Sequence, residues 1–189
     1  MTLRVRLFIA ATAIAALAIA VLGVVEPGYD TRSDTVSRLG GPGSTHALLF
    51  NVIVCIYGAC AISAATAIAS VMRPSRVIAT LVALHGLATI VTAAFPKNVA
   101  LGAHDRENMI HDRAAVIAAG AVVAAMLVVA LSRAPRRMRL GSAIAALVVC
   151  GCATAFKFTS GTEAYGVLER LVLAVAMVWL VGLTALTGV

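Results

Sequence analysis

Six apolar stretches, each about as long as a lipid bilayer is thick, follow one another along this chain of 189 residues. They lie near residues 7–25, 47–71, 77–95, 112–131, 140–157 and 167–187. A hydrocarbon core of ~30 Å needs about 20 apolar residues in a helix that crosses it. Only 12% of the residues are charged, against roughly 25% in soluble domains. The sequence therefore predicts an all-α integral membrane protein, a six-helix bundle with short loops that forms one domain over residues 1–189.

Acidic and basic residues divide between alternate loops. All eight acidic residues lie in or beside the first, third and fifth loops, whereas the N-terminal segment and the second and fourth loops carry arginine and no acid. Because Lys/Arg-rich short loops stay on the cytoplasmic side, we expect cytoplasmic N- and C-termini and outward-facing acidic loops. The net charge of +7 then reflects topology and contact with membrane lipids, and not nucleic-acid binding. Ala18-Ile19-Ala20 could serve as a signal-peptide cleavage site, but the long apolar run favours an uncleaved first helix.

Small residues indicate how the helices pack, because lipid gives no hydrophobic drive for their association. Gly120 with Ala124 in the fourth span, and Gly141 with Ala145 in the fifth, predict two faces of close approach. No proline lies in the middle of a span, which counts against a transporter built from interrupted helices.

The first acidic loop is the richest in polar side chains. Asp30, Ser33, Asp34 and Ser37 stand at i, i+3, i+4 and i+7, so a helix would place them on one face. One interpretation is a capped surface helix, since Asp and Ser are good N-caps. The other is a polar lid over an outward-facing pocket, with Asp30, Asp34 and Ser37 as candidate catalytic residues and Arg38 as a candidate ligand-binding residue.

Histidines near the acidic loops are candidate metal ligands. His104, Glu107 and His111 stand at i, i+3 and i+7, and His46 opens the second span. Imidazole and carboxylate groups suit zinc, so His46, His104 and His111 are the predicted zinc ligands, with His111 also a catalytic candidate. The alternative is a solvated helix face whose charges pair with neighbouring arginines.

Other polar residues lie inside or at the mouths of the spans. His85 is near the middle of the third span, where an ionisable side chain is a functional candidate by default. Its alternative is a neutral ring hydrogen-bonded to Thr89 or to a backbone carbonyl. Asn51, one turn into the second span, and Glu169 and Arg170, at the start of the sixth, complete the predicted ligand-binding set, although the last two could form a structural ion pair.

Two segments carry a family resemblance. The first is Asp30-x-x-Ser33-x-Thr35-x-Ser37-x-Leu39-Gly40 followed by Phe50-Asn51, and the second is Gly166-x-Leu168-Glu169-Arg170, with Phe95-Pro96 and His111 between them. Together they resemble a bacterial and archaeal family of six-helix membrane proteins known as domain of unknown function 998. The resemblance implies six helices and a bacterial plasma membrane, and it implies no agreed activity.

A weaker similarity is to the membrane hydrolases that include alkaline ceramidases and adiponectin receptors. That similarity implies Ser, Asp and His residues around a zinc ion in a seven-helix bundle. Here the sequence shows six spans and no H-x-x-x-H pattern.

These observations favour a multi-pass protein whose outward-facing polar pocket binds a lipid headgroup or another polar envelope ligand. It could act alone, as a homo-oligomer, or as an accessory subunit of a larger complex. The alternative is a metal-assisted hydrolase of lipid esters or amides, in which zinc would lower the pKa of a bound water. A proton relay through His85 is a third hypothesis.

Overall fold

Six long helices account for most of the protein. The computed structural model describes residues 1–71, 75–98, 100, 105–159 and 162–187. The helices are α1 (Leu3–Val25), α2 (Ala47–Val71), α3 (Ser75–Ala94), α4 (Arg106–Leu131), α5 (Arg136–Phe158) and α6 (Ala164–Thr187), with a short 3-10 helix at Val36–Gly40. Each of the six is long and apolar enough to cross a membrane, and the described ranges contain no strand. The predicted all-α membrane bundle is confirmed.

Helix α4 begins six residues before its predicted apolar span, at Arg106 instead of residue 112. The Asp105 carboxylate accepts hydrogen bonds from the backbone N–H groups of Glu107 (3.0 Å) and Asn108 (3.4 Å). These bonds satisfy donors that have no partner inside the helix, which is why a polar segment can start it. His111 therefore stands on a helix that extends past the apolar span.

The helices form a closed ring. Each helix packs against the next in sequence, and α6 returns to contact α1 and α2. The main core joins all six helices through side chains such as Phe8, Ile68, Val82, Met126 and Leu180. A second cluster joins Ala18, Leu22 and Phe50 to Val36 and Leu39 of the 3-10 helix, so the first loop is packed onto one end of the ring.

Two glycines allow a close contact between α2 and α3. A Cβ added to Gly58 in α2 would lie 2.6 Å from the carbonyl oxygen of Gly86 in α3, and one on Gly86 would lie 2.5 Å from the Gly58 oxygen. Only residues without a Cβ allow the two backbones to approach so closely. The predicted faces at Gly120 and Gly141 were wrong, because an added Cβ at either position meets open space.

The loops divide between the two ends of the ring as the charge pattern predicts. We call the end that holds the α1–α2, α3–α4 and α5–α6 loops the acidic end, because it carries Glu26, Asp30, Asp34, Asp105 and Glu163. The α4–α5 turn and the start of α5, at the opposite end, carry exposed Arg133, Arg136 and Arg137. The orientation of these ends relative to the cytoplasm stays a prediction.

Candidate functional site

Residues 29–40 form a cover over the acidic end, and we call this segment the cover loop. It is not the continuous helix that the Asp/Ser spacing allowed, because residues 30–34 form turns before the 3-10 helix begins at Val36. The Asp34 carboxylate accepts the Asp30 N–H (2.8 Å), and the Asp30 carboxylate accepts the Arg32 N–H (2.9 Å) and the Ser33 hydroxyl (3.1 Å). The Arg32 N–H bond lowers the pKa of the Asp30 carboxyl. Both aspartates therefore serve to fold the loop on itself.

Arg38 is also committed to the cover loop. Its guanidinium pairs with the Asp34 carboxylate and donates to the Gly28 carbonyl oxygen (3.1 Å). The hydrogen bond to Asp34 raises the pKa of Arg38, so the side chain stays charged. This predicted ligand-binding residue therefore has partners within its own segment.

Arg170 holds the cover loop to α6. Its Nη1 donates to the carbonyl oxygens of Thr31 (2.8 Å), Asp34 (2.9 Å) and Gly166 (2.9 Å), and its Nη2 donates to the Tyr29 hydroxyl. The guanidinium also lies 5.4 Å from the centre of the Tyr29 ring, within range of a cation–π interaction. The predicted pairing of Arg170 with an acidic side chain is replaced by bonds to backbone oxygens.

The start of α6 completes this contact. The Arg32 carbonyl oxygen accepts the N–H groups of Gly166 (2.7 Å) and Val167 (3.2 Å), which have no partner within the helix. A Cβ on Gly166 would lie 2.9 Å from the Arg32 oxygen and closer still to the Asp34 oxygen. Glycine is therefore the residue that lets the loop lie on the helix end.

Glu169 connects the cover loop to the interior of the ring. Its Oε2 accepts the N–H of Val36, the first residue of the 3-10 helix. Among the described parts of the chain, the ion pairs join Arg38 to Asp34 and Lys97 to Asp112, and none includes Glu169. The carboxylate is thus bonded to the Val36 backbone N–H and forms no ion pair within the described ranges.

A cavity of about 170 Å³ lies inside the ring beneath the cover loop. All six helices contribute to its wall, which is mostly apolar. Five predicted site residues line it: Ser37, Asn51, His85, His111 and Glu169. Asp30, Asp34, Arg38 and His46 lie outside the wall, and Arg170 borders a separate depression of about 310 Å³ between α1 and α6. The predicted residues therefore divide into a cavity and its cover.

A family model described as "Protein of unknown function (DUF998)" matches residues 9–186. The chain belongs to this family. Comparison with curated proteins and with solved structures gives no match. The membership confirms the resemblance predicted from the sequence.

In this DUF998 protein, the two segments that carry the resemblance contact each other. Asp34 of the first segment and Arg170 of the second are 136 positions apart in sequence and are joined by a hydrogen bond. Asn51, which follows the first segment, donates from Nδ2 to the Gly40 carbonyl oxygen (2.8 Å). A Cβ on Gly40 would collide with the Asn51 amide, so this glycine is also required by close approach. The motif residues thus build the cover and fix it to α2 and α6.

His85 is buried at the deep part of the cavity wall. Its Nδ1 lies 3.1 Å from the Ala118 carbonyl oxygen, which can only accept, so Nδ1 carries the hydrogen. Its Nε2 then accepts from the Tyr57 hydroxyl at 2.9 Å. This arrangement satisfies the neutral ring through a carbonyl, as one interpretation predicted, while Thr89 donates to the His85 backbone oxygen and not to the ring.

Sequence reasoning missed Tyr57 and Thr92, which also line the cavity, and it named Thr89 only as a possible partner of His85. Tyr57 is 4% exposed and contacts His85 edge-on, with ring centres 5.8 Å apart. The available signal was a lone tyrosine at the centre of a span, where an aromatic hydroxyl needs a partner. Threonines in spans gave no such signal, because their hydroxyls can bond to their own helix.

His111 stands at the other end of the wall. Its Nδ1 donates to the carbonyl oxygens of Thr92 (3.0 Å) and Phe95 (2.9 Å) at the end of α3. The lone pair on Nε2 is therefore left to accept a hydrogen bond. The residues that the structure describes hold no group of three or more His, Cys, Asp or Glu placed to bind a metal. His104 lies outside the described residues, so the zinc site of His46, His104 and His111 stays a prediction.

Proposed function

We propose that this protein binds the apolar part of an amphiphilic, lipid-like molecule inside the helix ring, with the polar part of the ligand beneath the cover loop. The observation that carries the proposal is the cavity, whose apolar wall comes from six membrane-spanning helices. The polar groups toward the acidic end of that wall are Ser37, Asn51, Thr92, His111 and Glu169. The deeper part is apolar apart from Tyr57, His85 and Thr89. Small-molecule sites commonly combine an apolar wall with a few polar groups.

The size of the cavity limits the ligand. A dry apolar cavity of roughly 150 Å³ holds a benzene-sized molecule, so the 170 Å³ here holds a short chain segment or one ring. The expected ligand is therefore a molecule that inserts one apolar group. The sequence predicted a headgroup held by Arg38 and Arg170. We place the ligand in the cavity instead, because both arginines already bond within the cover loop or between it and α6.

Filling the cavity tests the proposal. Ala176 is buried on α6 and lines the wall, so Ala176→Phe would occupy the space with one ring. Ala59→Phe is the matched control, because Ala59 is exposed on α2. Toluene binding, measured by ligand-observed NMR in detergent, should be seen with the wild type and with Ala59→Phe and lost with Ala176→Phe. Equal binding by all three proteins would contradict the proposal.

The alternative function is a metal-assisted hydrolase of lipid esters or amides. It is favoured by one placement: His111, a predicted ligand, lines the same cavity as Ser37 and Glu169. This alternative requires near-stoichiometric zinc in the purified protein and loss of that zinc in His104→Ala and His111→Ala. Elemental analysis of the three proteins decides it.

We also propose that the protein lies in a bacterial plasma membrane with the acidic end outward. The concentration of arginine at the opposite end supports this orientation. A single cysteine placed at exposed Glu163, in a chain whose four native cysteines are replaced by serine, should react with a membrane-impermeant maleimide in intact cells. A cysteine at exposed Arg137 should react only after lysis.

A further inference from the structure

The hydroxyl groups of Ser37, Thr89 and Thr92 on the cavity wall each donate their hydrogen to another protein group. Thr89 donates to the His85 carbonyl oxygen at 2.8 Å, and Thr92 donates to the Thr89 carbonyl oxygen at 2.7 Å. Ser37 donates to the Thr35 hydroxyl oxygen at 3.1 Å. A hydroxyl has one hydrogen and two lone pairs, so each of these groups on the wall retains only acceptor capacity.

The nitrogen donors follow the same pattern. Nδ1 of His85 and Nδ1 of His111 both donate to backbone carbonyls, and the Tyr57 hydroxyl donates to His85 Nε2. Asn51 uses one amide hydrogen on the Gly40 oxygen and keeps the other. Apart from that one N–H, what these wall residues offer a ligand is lone pairs, among them Nε2 of His111.

Glu169 adds a carboxylate to this acceptor-rich wall. It accepts hydrogen bonds from the backbone of Val36 and Ser37, and no ion pair within the described ranges reaches it. The nearby cations are already engaged: Lys97 pairs with Asp112 at 2.8 Å, and Arg170 bonds to the cover loop. A carboxylate facing an apolar cavity is costly unless a positive or hydrogen-donating group compensates it.

We infer that the polar group of the ligand is a primary ammonium, carried on an apolar chain or ring. An ammonium has three N–H donors and no acceptor, which complements a wall that, apart from one Asn51 N–H, accepts and does not donate. Its charge compensates Glu169, and charge-assisted hydrogen bonds are the stronger kind. The inference rests on the proposed function and specifies the chemical class of its ligand.

Four probes of matched size test it: benzylammonium, benzyl alcohol, benzoate and toluene. Each would be titrated into the full-length protein in lipid nanodiscs, with empty nanodiscs as the blank, and binding would be followed by calorimetry. Benzylammonium should bind about tenfold more tightly than benzoate, or better, since each tenfold change in affinity corresponds to ~1.4 kcal/mol. Benzyl alcohol and toluene should fall between them.

Two substitutions test whether residues of the cavity wall cause the preference for benzylammonium. Glu169→Gln keeps an oxygen for the Val36 N–H but removes the charge, so benzylammonium should weaken about tenfold while toluene is unchanged. Thr92→Val removes one acceptor and should weaken benzylammonium roughly twofold to threefold. Thr12→Val is its matched control, because the Thr12 hydroxyl also donates to a carbonyl oxygen of its own helix (Phe8, 2.8 Å) and does not line the cavity.

The outcomes separate the two claims. If toluene binds and benzoate binds as tightly as benzylammonium, the ammonium inference fails and the proposed function stands. If none of the four probes binds, both fail. If Glu169→Gln does not fold, the comparison of Thr92→Val with Thr12→Val decides, and equal benzylammonium affinities in those two variants would overturn the inference.

Discussion

Replacing Arg170 should loosen the cover loop. The guanidinium bonds to three backbone carbonyl oxygens and to the Tyr29 hydroxyl, and it is only half-buried. A hydrogen bond to a charged group contributes about 1.5–3 kcal/mol, but such bonds on one group are not additive and water replaces part of them. We therefore expect Arg170→Ala to lower the free energy of unfolding by about 3 kcal/mol.

Arg170→Lys should recover less than half of that loss. A lysine ammonium is a compact charge on a flexible stem and cannot present the planar fork that reaches Thr31, Asp34 and Gly166 together. Arg113, which is exposed on α4, provides the control Arg113→Ala. Its effect should stay within about 0.5 kcal/mol, as is usual for surface positions.

Two measurements check this prediction. Denaturant unfolding in detergent gives the stability difference, and amide hydrogen exchange reports on the cover loop directly. The Val36 N–H, bonded to Glu169, and the Gly166 N–H, bonded to Arg32, should exchange faster in Arg170→Ala. Unchanged exchange at both amides, with a stability equal to that of Arg113→Ala, would refute the argument that Arg170 holds the loop.

Three further predictions concern packing and pH. Gly166→Ala should destabilise the protein by about 1–3 kcal/mol, because the new Cβ would meet the Arg32 and Asp34 oxygens; denaturant unfolding measures this. Gly58→Ala should cost a similar amount by separating α2 from α3, whereas Gly120→Ala, where a Cβ meets nothing, should not destabilise the fold. Burial raises the pKa of the Glu26 carboxyl, but its hydrogen bonds, the Thr45 N–H bond first, lower that pKa by more, so the net result lies below 4.5. The stabilisation that the Glu26 carboxylate gives the fold is therefore present above about pH 4.5. It is lost as the pH falls through the lower pKa of the folded state. Unfolding of Glu26→Gln across that acid range should show a shallower pH dependence, and a slope equal to that of the wild type would contradict the assignment.

Much of the fold followed from the sequence because bilayer thickness fixes helix length. Apolar runs of about 20 residues could become only spanning helices, so six were predicted and six are present. Helix contacts were harder to predict. Gly58 and Gly120 look alike in sequence, yet only Gly58 faces a neighbouring helix, and that depends on how each helix is rotated in the ring.

Part of the candidate site could also be predicted, because polar residues are rare in apolar spans. Polar residues in or near spans stood out, so Asn51, His85, His111 and Glu169 were identified and all line the cavity. The role of Arg170 could not be predicted, because its partners are backbone oxygens of a loop far away in sequence, and backbone oxygens are the same at every residue. Side-chain patterns predict which residues are unusual, whereas their partners depend on the tertiary fold.

The contact between the cover loop and α6 also sets an order of assembly. Chains are made from the N-terminus and their early segments fold first, yet the Thr31 and Asp34 carbonyl oxygens accept hydrogen bonds from Arg170 of the last helix. During synthesis, the cover loop can therefore pack on α1 and α2 through Val36 and Leu39 before α6 is made, but its bonds to Arg170 form only after the last helix has entered the membrane. Insertion of α6 is thus the step that fixes the cover loop over the acidic end of the cavity.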